Sequence, residues 1–169
     1  GKIEGSFRDV YKANSAVMDM LAEFGYPIPF PFHLAAEYIM NADLKKHFLE
    51  DELDLERLRA LIAHVKKFSF QLDKDGLQYV ASQWLTSQME LFGADRDNLS
   101  VMERIIDRLR LMADLHLDLD LWKAQNIYFE ISRTTMIDKK RQAERGDEPA
   151  KKWLGLFQCL GSFLYVNIA

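Results

Sequence analysis

The sequence predicts an all-α protein, a single irregular bundle of about seven to nine helices with little or no sheet. Apolar residues recur at helical spacing along most of the chain, helix-capping residues precede most of those segments, and the connections are short. Strand-like alternation is confined to Leu115–Leu121, and one edge strand cannot form a sheet. The length of 169 residues is typical of one domain, so we expect residues 1–169 to form a single helical domain.

The first helix is expected to be capped by Ser6 and to run to about Phe24, where Gly25 ends it. Its predicted core-facing side chains follow helical spacing and are Val10, Ala13, Val17, Met20, Leu21 and Phe24.

An extended elbow is expected next, because prolines occupy alternate positions in Tyr26–Phe32. Each proline fixes its own φ and disfavours helical backbone at the residue before it. The favoured interpretation is a connector that packs Tyr26, Phe30 and Phe32 into the core. The alternative is a rigid rim beside a ligand cleft.

A second helix is expected over about His33–Asn41, followed by a short one over Asp43–Leu49. Asp54 is a suitable cap for the next helix. The apolar face of that helix comprises Leu55, Leu58, Leu61, Ile62 and Val65.

Asp73 or Asp75 is expected to open the following helix, which Gly93 ends. Asn98 or Ser100 then precedes a strongly periodic helix. The apolar positions of the periodic helix are Val101, Ile105, Ile106, Leu109, Leu111 and Met112.

A further helix is expected from about Leu121 to Gln142, then a charged loop, Ala143–Glu148, with Pro149 in the first turn of the last helix. Trp153–Ala169 is the most apolar stretch, but its 17 residues are interrupted by polar ones. A membrane span needs about 20 mostly apolar residues, so a buried helix is expected. Its abrupt end indicates either a fragment of a longer protein or an end that docks within the domain. The expected core includes Val17, Leu21, Leu58, Leu61, Ile62, Trp84, Ile105, Leu109 and Phe157.

The charge balance disfavours nucleic acid as a partner. The chain has 22 basic and 26 acidic residues, for a net charge of -4, which provides no basic field for a phosphate backbone. Cys159 is the single cysteine, so no internal disulfide can form. A cytoplasmic location without membrane attachment is expected.

Asp114, His116, Asp118 and Asp120 alternate with leucines. In an extended chain they would share one side and could bind a divalent cation. Hard cations usually also require backbone carbonyls in a shaped loop, and no calcium-loop glycine pattern occurs here. The favoured interpretation is therefore a connector with leucines inward and charges outward, and no metal is expected. Asp118 or Asp120 could also cap the helix that follows.

Trp122, Gln125, Asn126 and Tyr128 form the most distinctive cluster of the sequence. An indole face can stack on the C–H side of a sugar ring, and amides can bind hydroxyl groups. They are candidate carbohydrate contacts, together with His33 at the start of a predicted helix. The favoured interpretation is structural, with the amides of Gln125 and Asn126 bonded to the backbone of the proline elbow or of the extended connector.

Motifs for catalysis are absent from the sequence: there is no phosphate-binding glycine loop, no HExxH and no nucleophile elbow. Neither a catalytic residue nor a cofactor is therefore predicted.

A resemblance to a known family rests mainly on the run Leu121–Phe129. It is supported by Gly25–Pro29 ahead of a helix with Ala35–Glu37, and by Asn41–Leu44. Over about residues 7–140 the chain resembles the helical domain of unknown function that follows the catalytic barrel in a bacterial branch of glycoside hydrolase family 57.

The resemblance implies a non-catalytic accessory domain that packs on the barrel of the same polypeptide and shapes an α-glucan or oligosaccharide cleft. It also implies that cleavage, by a retaining carboxylate pair, takes place on the barrel. No strand–helix alternation typical of such a barrel occurs in this sequence. The alternative function is that of a stand-alone helical protein-interaction module.

Overall fold

The computed structural model describes residues 1–50 and 54–166, except for the side chain of Leu55. Within these ranges the chain forms helices without any strand, which confirms the predicted all-α fold. The helices are α1 (Lys2–Glu23), α2 (Phe30–Leu49), α3 (Leu55–Lys67), α4 (Lys74–Ala94), α5 (Leu99–Asp114), α6 (Trp122–Glu144) and α7 (Glu148–Phe163). The chain divides into two compact units, Gly1–Leu77 and Gln78–Ala169. The expected single domain stays a prediction.

The first unit begins with α1, and two expectations about this helix are wrong. Ser6 does not cap it, because the helix starts at Lys2 and the Ser6 hydroxyl donates to the Lys2 carbonyl oxygen at 3.2 Å. The predicted core face is also largely exposed, with Val17 45% accessible. Met18 is buried instead, while Leu21 is half-buried.

Helix α2 replaces the two shorter helices predicted for this region, and Pro31 lies in its first turn. The elbow before it is shorter than expected: residues 26–29 are irregular, whereas Phe30–Phe32, predicted as extended, belong to the first turn of α2. Gly25 has a φ of 71°, in the left-handed region that suits glycine. Tyr26 and Phe30 are exposed, so the predicted packing of these two rings into the core is wrong; Phe32 is half-buried.

Two other predicted helix caps in the first unit, Asp54 and Asp73, are confirmed. The Asp54 carboxylate accepts from the Arg57 N–H at 2.9 Å, and that of Asp73 accepts from the Gly76 N–H at 3.0 Å. Hydrogen bonding to Lys45 lowers the pKa of Asp73, and the bond from the Gly76 N–H adds to this shift. This carboxylate therefore stays charged and keeps its capping role to lower pH.

In the second unit Asn98 is a cap as expected, whereas the N-cap of α6 is Leu121 and not Asp118 or Asp120, and Asp147 was not predicted as a cap. Asn98 accepts from the Val101 N–H at 3.3 Å, and Asp147 accepts from the Ala150 N–H at 2.9 Å with Pro149 in the first turn of α7. The predicted core members that are buried are Leu58 in the first unit and Trp84, Ile105, Leu109 and Phe157 in the second. Leu61 and Ile62 are half-buried.

Across the described ranges, none of the helices combines the length and the apolar character that crossing a membrane requires.

Candidate functional site

The acidic connector between α5 and α6, residues 115–121, is not a strand: it begins with a turn in which His116 has a left-handed φ of 53° and continues as irregular backbone. Its leucines are half-buried, whereas Asp114, His116, Asp118 and Asp120 are exposed, as the connector interpretation predicts. Among residues 1–50 and 54–166, no group of three or more histidine, cysteine or acidic side chains could hold a metal ion.

Hydrogen bonds to α4 fix the position of this connector. The Gln78 side chain donates to the Asp118 carbonyl oxygen at 3.0 Å, and the Asp120 N–H donates to the Ser82 hydroxyl at 3.0 Å. The Asp120 carboxylate then accepts from the Trp122 N–H at 3.1 Å, at the first residue of α6. The connector thereby sets where α6 begins and where the Trp122 ring emerges.

Helix α6 separates the Trp–amide cluster onto two faces. Trp122, Asn126 and Phe129 lie one and two turns apart on the same side, and all three are exposed. The Trp122 ring is 71% accessible and the Phe129 ring 49%. We call this side of α6, with Glu130 and Arg133, the outer face.

The other two members of the cluster face the core and have structural contacts. The Gln125 side chain donates to the Leu164 carbonyl oxygen at 2.8 Å, just beyond α7. Tyr128 is buried, stacks on Phe157 with ring centroids 4.1 Å apart, and donates its hydroxyl to the Phe157 carbonyl oxygen at 3.0 Å. The Gln125 contact is structural, but its partner is neither the proline elbow nor the connector before α6 that the sequence suggested, and the Asn126 side chain is exposed. The Tyr128 ring also borders a cavity of about 590 Å³ between α6 and α7.

A shallow cavity of about 450 Å³ lies on the outer face, lined by Asn126, Phe129, Glu130, Arg133 and Thr134. The Arg96 guanidinium binds two of these lining residues. It donates to the Glu130 carboxylate at 2.7 Å and to the Thr134 hydroxyl at 2.6 Å. An amide, a carboxylate and two guanidinium groups thus accompany two exposed aromatic rings, a combination suited to hydroxyl-rich ligands.

His33 belongs to the first unit, near the start of α2. It is half-buried, and its ring contacts the Phe70 ring edge-on with centroids 4.9 Å apart. The outer face consists entirely of residues from the second unit.

Sequence reasoning did not include Phe129, Arg133 or Arg96 among the site residues. Helical spacing does place Phe129 on the side of Trp122, seven positions earlier, although Phe129 was not named as a carbohydrate contact. Arg96 reaches Glu130 across 34 positions of sequence, so helical periodicity carries no sign of this contact.

No protein-family model matches this chain, and neither a curated protein nor a solved structure matches it.

The structural role of the Tyr128 hydroxyl can be tested through the dependence of stability on alkaline pH. Burial raises the pKa of Tyr128 to about 12 from its usual 10.0. An unfolded chain therefore loses this proton first, and the contribution of the neutral phenol to stability is full below pH 10.0 and falls as pH rises towards 12.

We expect Tyr128→Phe to remove this dependence. The stability difference between the wild type and the variant should shrink above about pH 10, by at most about 1.4 kcal/mol per pH unit. Urea unfolding of both proteins from about pH 8 to pH 11 measures it. A difference that stays constant over that range would contradict the assignment.

Proposed function

We propose that this chain is a non-catalytic helical accessory domain of a carbohydrate-active enzyme similar to glycoside hydrolase family 57, and that the outer face of α6 contacts an α-glucan or related oligosaccharide. The exposed Trp122 ring, 71% accessible on the same side of α6 as Asn126 and the Phe129 ring, is the observation that supports this most directly. A large exposed indole next to polar groups is typical of surfaces that bind amphipathic ring ligands.

The spacing of the two rings suits an oligosaccharide. Trp122 and Phe129 are separated by seven residues, and a rise of about 1.5 Å per residue places them roughly 10 Å apart along the helix axis. Two rings at this separation can stack on different sugar units of one chain. Asn126 lies between them and can exchange hydrogen bonds with sugar hydroxyls.

The proposal assigns bond cleavage to a catalytic barrel of the same polypeptide, against which this domain packs. The residues of this domain are proposed to bind the oligosaccharide and to shape the cleft, and neither role requires a cofactor. Gln125 and Tyr128 would hold α6 against α7 and position the ligand-contacting side chains indirectly. A cytoplasmic setting in a bacterial cell belongs to the same proposal.

Tryptophan fluorescence gives a direct test, because Trp84 and Trp153 are buried and Trp122 is exposed. Titration of the protein with maltoheptaose is expected to shift the emission to shorter wavelength and to protect Trp122 from iodide quenching. We expect Trp122→Ala to weaken binding roughly tenfold, about 1.4 kcal/mol, when binding is measured by calorimetry.

Tyr79→Ala is the matched control, since it removes another exposed aromatic ring of the second unit, on α4. Its affinity should equal that of the wild type. Equal affinities of Trp122→Ala and wild type, with the helical circular-dichroism spectrum preserved, would refute the sugar-contact role.

A stand-alone protein-interaction module is the second candidate. The apolar side chains exposed along α1 favour it, since such faces bind partner helices. The coding sequence ahead of Gly1 discriminates the two candidates. A barrel encoded there would favour the accessory role.

A further inference from the structure

Helix α1 carries an exposed apolar seam with a heptad repeat. Every seventh side chain from its start is apolar and exposed, namely Ile3, Val10, Val17 and Phe24, the last at its C-cap. Three further exposed positions complete the pattern, namely Ser6, Ala13 and Met20. Alternating spacings of three and four residues are those of the a and d positions of a coiled coil. We call these seven residues the α1 seam.

Packing within the first unit uses a different side of α1. The Phe7 ring lies 4.9 Å from the Tyr38 ring of α2, and the Arg8 guanidinium binds the Asp43 carboxylate of α2 at 2.7 Å. Met18 is buried. The seam residues lie beside this inner side and are accessible for another helix.

Charges beside the seam favour one orientation for that helix. One flank carries Lys2, Asp9, Ala16 and Glu23, all exposed, at the g positions of the heptad. The e positions on the other flank are Phe7, Asn14 and Leu21, uncharged and half-buried.

In a parallel pair, g positions meet e positions, and the charges would have no opposite partner. In an antiparallel pair, g positions meet g positions, so Lys2 at one end faces Glu23 at the other. Two-fold symmetry then forms this ion pair twice.

We propose that a second copy of this chain occupies the α1 seam, and that the two α1 helices form an antiparallel two-fold coiled coil. With Lys2 beside Glu23 of the second copy, the register pairs Val10 with Ala13 and Val17 with Ser6 of the other chain. Each of these layers joins a larger side chain to a small one, which permits close packing of the two helices. Ile3 and Met20 form the outer layers.

Sedimentation equilibrium of the 169-residue chain at low ionic strength tests the proposal. The average mass is expected to rise with concentration from 19.7 kDa towards twice that value. Val17→Glu should weaken the dimer at least about 100-fold. In the coiled coil, the side chain at position 17 inserts between four residues of the other helix, so the glutamate would bury a carboxylate that has no partner. The side chain is 45% accessible in the single chain, so the helical content should not change.

Charge reversal identifies the partner and its orientation. Lys2→Glu places two carboxylates together at each end of the pair and should weaken the dimer roughly tenfold. The double variant Lys2→Glu, Glu23→Lys should restore the wild-type dissociation constant. Lys12→Glu, the same change at another exposed position of α1, is the matched control and should leave it unchanged.

A wild-type mass that remains at 19.7 kDa up to about 0.5 mM, well above a typical micromolar dissociation constant, would overturn the proposal. A dimer that survives Val17→Glu would overturn it as well. If the dimer of the double variant stayed as weak as that of Lys2→Glu, the antiparallel pairing would be excluded. None of these outcomes bears on oligosaccharide binding at Trp122, which calorimetry measures separately.

Discussion

Replacing Phe157 with alanine is expected to lower the free energy of unfolding by about 4 kcal/mol, as for other buried phenylalanines. Phe157 is fully buried at the centre of an aromatic cluster in the second unit. Its ring stacks on Tyr128 and Trp153, with centroids 4.1 and 4.6 Å away, and approaches Phe92 at 6.4 Å. The cluster joins α4, α6 and α7, so the variant leaves a cavity between three helices.

Urea unfolding measures this loss, and Phe163→Ala is the control. Phe163 is half-buried at the end of the same helix, so the same chemical change should cost less than half as much. Because Trp153 stacks on Phe157, its emission should shift to longer wavelength in Phe157→Ala. A loss below about 1 kcal/mol would mean that the ring is not part of the core.

Local signals predicted the second unit well, and the reason is physical. Asn98 caps its helix through a contact within four residues, and Pro149 needs only its own fixed φ. Ile105 and Leu109 lie on a helix with one apolar stripe, so periodicity alone identifies their buried side.

In helix α1, periodicity does not identify the buried side. It has two neighbouring apolar arcs, one with Phe7 and Met18 and the other with Val10 and Val17. Periodicity detects both arcs equally, whereas the choice between them depends on contacts with α2 more than 20 residues away. The contact of the Arg8 guanidinium with Asp43 spans 35 positions and is of this kind. The arc with Val10 and Val17 was therefore mistaken for the core face.

The sequence located the segment that carries the candidate site, but it did not show which of its residues face solvent and which face the core. The sequence placed Trp122 and Gln125 together because they are three residues apart. It could not show that Gln125 would reach the Leu164 carbonyl oxygen, a contact across 39 positions. The structure therefore separates the exposed side of α6 at Trp122 from the core-facing residues Gln125 and Tyr128.

Gly161→Ala is expected to destabilise the protein by about 2 kcal/mol, the usual cost of overpacking a core. Gly161 lies in α7 directly against Tyr128 of α6. An added Cβ would overlap the Tyr128 hydroxyl and come within 2.8 Å of the ring carbon that carries it. It would also lie 3.3 Å from the Val166 carbonyl oxygen. The Tyr128 ring is held by its stack on Phe157 and by the hydrogen bond to the Phe157 carbonyl oxygen, so it cannot turn away without losing both.

Gly155→Ala distinguishes this overlap from the general effect of glycine in a helix. Gly155 lies in the same helix, and no heavy atom outside its local backbone lies within 4 Å of the position of an added Cβ. This variant should be more stable than the wild type by about 0.5–1 kcal/mol, because alanine loses less backbone entropy on folding. Adding Tyr128→Phe to Gly161→Ala removes the overlapping hydroxyl and should recover part of the loss, giving a non-additive double-mutant cycle in urea unfolding. If Gly161→Ala stabilised the protein as Gly155→Ala does, the close approach of α6 and α7 at Tyr128 would be wrong.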